Sequence, residues 1–117
     1  MLDKEDARYT LCAARELIAS KGRAKGSYED ANGCYCTVGA ICKTKEPKVR
    51  PGGSYFDVET QRHISYSSVM DRNEIRPIIV HLATVNGMDQ PEYIFLKNDS
   101  TDTEGVLEMF DKAIAAL

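Results

Sequence analysis

The sequence predicts an α+β domain, three to four helices packed round one core with a β-hairpin inserted between the second and third. Three observations carry this. Apolar residues recur at three- and four-residue spacings towards both ends of the chain. A stretch holding three of the four cysteines, Asn32-Gly33-Cys34-Tyr35-Cys36-Thr37-Val38-Gly39-Ala40-Ile41-Cys42, runs from a polar loop into an apolar segment. Two short runs in the middle are rich in aromatic and β-branched residues.

The first helix is expected from about Asp3 to Ser20. Ala7, Leu11, Ala14 and Ile18 make its stripe, Leu17 widens it, and Gly22 stands where a C-cap glycine belongs. A polar loop, Arg23 to Gly33, follows. Gly33 lets the chain turn, after which Val38, Ile41 and Cys42 fall on one face of a second, short helix. Gly39 and Ala40 let a neighbour approach closely; Gly39 would cost that helix about 1 kcal/mol relative to Ala unless packing requires it. Cys12 and Cys42 are expected to be buried as small hydrophobes.

Pro47 is expected to close the second helix, and Pro51-Gly52-Gly53 to mark a turn or hinge. Ser54-Tyr55-Phe56-Asp57-Val58 and Arg62-His63-Ile64-Ser65-Tyr66, joined by three residues, read as the hairpin. Asp71-Arg72-Asn73-Glu74 has the form of a capping box, yet Pro77 opposes a regular helix through that point. A helix starting two or three residues late, with Ile75, Ile78, Ile79 and Leu82 on its stripe, fits better than a strand over 78–82. Tyr93-Ile94-Phe95-Leu96 is long enough for one strand or a buried turn. Thr101 and Glu104 can form a further capping box for a last helix carrying Val106, Phe110, Ala113 and Leu117.

At 117 residues, with 43% hydrophobic and 28% charged residues, the chain most simply forms one domain over 1–117. No apolar run approaches the roughly 20 residues of a membrane helix, and the first residues lack the basic-then-apolar plan of a signal peptide. A cytoplasmic protein with reduced cysteines is therefore expected. Net charge is −3, but residues 1–50 carry ten Lys/Arg against seven Asp/Glu and residues 51–117 five against eleven. The basic clusters at 21–25 and 43–50 read as solvated loops; with a pI near 5.4 and no recognition motif, nucleic acid is disfavoured as a partner.

Several residues together resemble a known family. They are Ala13-Ala14 and Leu17-Ile18, then Lys21-Gly22, then Cys36-Thr37-Val38-Gly39-Ala40-Ile41, and finally Asn98-Asp99 with Thr103 before Val106-Leu107. The pattern is similar to that of small actinobacterial and phage proteins grouped as a domain of unknown function. The resemblance implies a phage or prophage accessory protein, working in the host cytoplasm. By analogy with other small acidic phage proteins, it also implies an antagonist of host machinery.

Three chemistries are worth weighing. A cysteine hydrolase would use Cys34 or Cys36 near a helix N-terminus, where the dipole favours a thiolate, with His63 or His81 as base and Asn98 or Asp99 orienting it. No family signature surrounds either cysteine. Zinc could take Cys34, Cys36, Cys42 and a histidine, but the two-residue gaps of paired ligands are missing, so no metal and no cofactor is expected. The Asn98-Asp99-Ser100-Thr101 turn could hold an anion or nucleotide fragment, or simply cap a helix; residues 22–26 lack the strand and helix that flank a phosphate loop.

Tyr28, Tyr55, Phe56, Tyr66 and Met70 are side chains of the kinds enriched in interface cores. The function expected is that of a small phage-type accessory protein, a non-enzymatic binder and inhibitor of a host defence protein. Its binding residues are Tyr28, Tyr55, Phe56, Tyr66, Asn98 and Asp99, and its partner is a host protein, with homo-oligomerisation left open. The alternatives are a cysteine hydrolase built on Cys34, Cys36, His63 and His81, and a protein that sequesters a small nucleotide signal.

Overall fold

The computed structural model describes residues 2–45 and 72–117, with the backbone alone of 54–57 and 62–65. The chain enters helix α1, Lys4–Lys21, through Asp3, whose carboxylate accepts the Asp6 amide at 3.1 Å. Glu5 and Asp6 sit in the first turn and Lys21 in the last, each where the helix dipole favours its charge. The helix ends at Gly22, whose φ of +102° only glycine adopts without strain and whose amide returns to Ile18 O at 2.8 Å. Ala7, Thr10, Leu11, Ala14 and Ile18 form the buried face. Cys12, expected inside, is exposed: it lies about 100° round the helix from Leu11, off the stripe.

Segment 22–36 then doubles back on itself. Ala24 N–H reaches Tyr35 O, Tyr35 N–H reaches Gly22 O, and Cys36 N–H reaches Tyr28 O, at 2.9, 3.2 and 3.0 Å. The Asp30 carboxylate closes the turn by accepting from the amides of Asn32 and Cys34. Helix α2, Thr37–Lys45, follows with its first six residues buried. Gly39 is required here, because a Cβ at that position would collide with the Tyr28 carbonyl oxygen.

Strands β1, Ser54–Asp57, and β2, Arg62–Ser65, pair antiparallel with Ser54 opposite Ser65 and Asp57 opposite Arg62. Helix α3, Arg76–Val85, carries Pro77 in its first turn, where the missing amide costs nothing, so the late-starting helix is what forms. No side chain caps it. Helix α4, Tyr93–Ser100, replaces the strand or buried turn expected at 93–96. Thr101 is its C-cap, and Asp102, not Thr101, caps helix α5, Thr103–Ala115, by accepting the Gly105 amide at 2.8 Å.

Among the described residues, every buried apolar side chain comes from a helix, its immediate flank or segment 22–36. α1 packs on α2 and α5, α3 on α5, and α2 on α4, with Leu11, Ile18, Ile41, Ile79, Leu82 and Phe110 among the large side chains fully enclosed. Each contributes roughly 1.5–3 kcal/mol by leaving water.

The expected α+β class is therefore corrected. The described body is helical, with five helices where three to four were expected. The physical reason is that a sheet of two four-residue strands is too small to stand as a layer of its own. Among the described residues the sheet is this pair of strands alone, and the core is built by the helices and segment 22–36. The expectations placed on Pro47, on Pro51-Gly52-Gly53, on Tyr66 and Met70, and on Asp71 as part of a capping box lie outside the described residues. Among the described residues no helix is long and apolar enough to cross a membrane.

Candidate functional site

Where segment 22–36 meets the end of α4, a polar seam forms, and Asn98 is its centre. Its side chain is 1% exposed. Oδ1 accepts from the Thr37 amide at 2.9 Å and the Thr37 hydroxyl at 2.8 Å. Nδ2 donates to Ala24 O at 3.0 Å and to Asp99 Oδ1 at 2.9 Å. A buried amide with all these partners ties α4, α2 and segment 22–36 together. Arg23 completes the seam by donating to Asn98 O at 2.6 Å and Thr101 O at 2.8 Å, satisfying carbonyls that the end of α4 leaves without helical partners.

Just outside the seam lies a cleft of about 310 Å³, lined by Gly26, Ser27, Tyr28, Cys36, Phe95 and Asp99. Phe95 and Asp99 are four residues apart and so share one face of α4. Tyr28 meets Phe95 edge to face, ring centres 5.7 Å apart. Asp99 Oδ1 is held by the Gly26 amide at 3.2 Å as well as by Asn98. Burial pushes the Tyr28 phenol up, so it stays protonated.

The sequence profile of a family of unknown function (DUF6197) matches residues 3–116. The chain belongs to that family. No curated protein and no solved structure matches it. Membership in DUF6197 brings neither an activity nor an origin with it, so function has to be argued from the cleft, every residue of which lies in the matched span.

Of the binding residues expected from the sequence, the structure brings Tyr28 and Asp99 together in the cleft. Asn98 lies beneath them, spent on the fold. The side chains of Tyr55, Phe56 and His63 in β1 and β2, and all of Tyr66, lie outside the described residues. Phe95, Ser27 and Gly26 were missed. Reading 93–100 as a helix would have placed Phe95 beside Asp99.

Both cysteines of the hydrolase alternative hold their protons, and neither meets His81. Cys36 is the N-cap of α2 and its sulfur accepts the Gly39 amide at 3.2 Å. Those amide contacts favour a thiolate, but burial outweighs them and pushes the thiol up to about 11. The expectation that the helix dipole would govern this cysteine is thus corrected. Cys34 donates its S–H to Lys21 O at 3.0 Å, and burial with the nearby Asp30 carboxylate raises its pKa also. His81 Nε2 donates to Ala113 O at 2.8 Å, joining α3 to α5, and no hydrogen bond connects it with either cysteine. Among the described residues no three His, Cys, Asp or Glu side chains converge on a point that could hold a metal.

Proposed function

We propose that this chain is a non-enzymatic binding protein whose recognition site is the cleft between segment 26–28 and α4. The observation that carries the reading is the pairing of an aromatic wall, Tyr28 and Phe95, with a fixed carboxylate, Asp99, in one concavity. The thiol in that concavity, Cys36, stays protonated at neutral pH, which speaks for holding a ligand over attacking one. Tyr93 and Leu96 are exposed on the same helix, and large apolar side chains left in water favour a protein partner. Inhibition of a host defence protein, the phage-type role implied by the family resemblance, would be exercised through this surface. A phosphate-bearing nucleotide is disfavoured, since it would meet the Asp99 carboxylate.

Affinity capture from host lysate, with Phe95→Ala beside the wild type and Tyr9→Ala as a distant control, tests this. One partner retained by the wild type and by Tyr9→Ala, and lost with Phe95→Ala while the circular dichroism spectrum is kept, is the expected result. A partner held equally by Phe95→Ala would move the recognition site elsewhere. Alkylation of Cys36 by iodoacetamide at pH 7.5 as fast as a free thiol would overturn the non-enzymatic reading.

A further inference from the structure

Granted that the cleft is a binding site, its chemistry narrows what it takes. Asp99 Oδ1 is occupied by the Gly26 amide and Asn98 Nδ2, whereas among the described residues no hydrogen bond or ion pair reaches Oδ2. The carboxylate is thus anchored by one oxygen, with the other left for a ligand. It also stands in the last turn of α4, where the helix dipole adds negative potential and favours a cation. The nearby guanidinium of Arg23 does not neutralise it directly, being committed to the carbonyls of Asn98 and Thr101.

The remaining walls are apolar or neutral: the rings of Tyr28 and Phe95, the protonated thiol of Cys36, and Ser27 with Gly26 at the rim. At about 310 Å³ the cleft is at the small end of ligand sites, suited to one side chain and not to a nucleotide. A group that matches an aromatic wall with one charge at its end is an apolar stem carrying a cationic head. Lysine and arginine have that construction, and both are attracted to aromatic faces when partly desolvated.

We infer that the cleft receives a lysine or arginine side chain of the partner polypeptide, its stem lying along the wall that Tyr28 and Phe95 form and its cationic head on Asp99 Oδ2. The arrangement assigns three roles. Asn98 and the Gly26 amide orient the carboxylate, Asp99 supplies the charge, and the two rings select for a long aliphatic stem.

The test is a titration of isotopically labelled protein, followed by the amide resonances of Gly26, Ser27, Tyr28 and Asp99. The probes are N-acetyl-lysine methylamide and N-acetyl-arginine methylamide, each beside its neutral counterpart, the norleucine or citrulline derivative. Saturable shifts with the basic probes, at least ten-fold weaker binding of the neutral ones, and a similar loss in Asp99→Asn are expected. Asparagine at that position keeps an oxygen to accept the Gly26 and Asn98 bonds, so the variant removes the charge and leaves the anchor. Neutral probes binding as well as basic ones, or an unchanged affinity in Asp99→Asn, would overturn the cationic assignment while leaving the cleft a binding site. Agmatine binding ten-fold tighter than the capped arginine would overturn the polypeptide source. If no probe shifts the cleft and the captured partner is still held by Phe95→Ala, the cationic assignment and the recognition site fall together.

Discussion

The helical body and the polar seam are held by different physics. In the body, α1, α3 and α5 meet through aliphatic and aromatic side chains whose contribution scales with the area they bury. In the seam, segment 22–36, the start of α2 and the end of α4 meet through individual atoms: one amide oxygen, one amide nitrogen, one guanidinium. The lesson is one of tolerance. A non-directional force accepts any side chain of about the right volume, whereas a buried polar junction accepts one residue type and penalises all others.

The sharpest way to break that contrast is Asn98→Leu, which keeps the forked shape, adds some bulk and strips the bonds. It leaves the Thr37 amide, the Thr37 hydroxyl and Ala24 O buried without their partner, and should cost at least about 3 kcal/mol in urea unfolding. A loss under 1 kcal/mol would mean that the seam is no tighter in its demands than the body.

Next in size is the alkaline response of Cys36. Its thiol is raised from an ordinary value near 9 to about 11 in the folded protein, so native and unfolded chains carry the same proton below pH 9. As pH rises from 9 towards 11 the unfolded chain ionises first, and stability falls by roughly 2–3 kcal/mol. The stability gap between wild type and Cys36→Ala, measured by denaturation at pH 8 and pH 11, should shrink by about that amount. A constant gap would show that burial does not control this thiol.

The matching substitution in the body is Phe110→Leu, which should cost only about 1 kcal/mol if the neighbouring side chains relax. Thr10 sharpens the comparison from the other side. Its hydroxyl is buried on the inner face of α1 without a hydrogen-bond partner, a polar group placed where apolar packing rules. Thr10→Val should therefore raise stability, by up to about 1 kcal/mol. The smallest effect belongs to the half-exposed pair of Arg15 and Asp111, 2.7 Å apart across α1 and α5. A double-mutant cycle should return less than about 0.5 kcal/mol, and still less at 1 M salt.

The same division explains what could be read from the chain. Stripes such as Ala7, Leu11, Ala14 and Ile18, or Val106, Phe110 and Ala113, are local patterns, and helices follow from them directly. The late start of α3 was likewise visible, because proline's geometry sets it. Tyr93-Ile94-Phe95-Leu96 was misread because a four-residue apolar run has no period of its own. That error hid the cleft, since only a helix sets Phe95 and Asp99 on one face. Asn98 drew notice as a turn residue, but its burial depends on Thr37 and Ala24, distant in sequence, and no local rule reports that. The two short strands invited an α+β class because β-propensity was counted without asking what the sheet would lie on.

The bond between Thr37 and Asn98 joins residues 61 apart in sequence. Bringing two ends of so long a stretch together depends only logarithmically on its length. Lengthening a loop of about 60 residues by ten raises the entropic cost of closure by only about 0.1 kcal/mol. The seam can therefore clasp parts of the chain far apart in sequence at a cost that hardly grows with the distance between them.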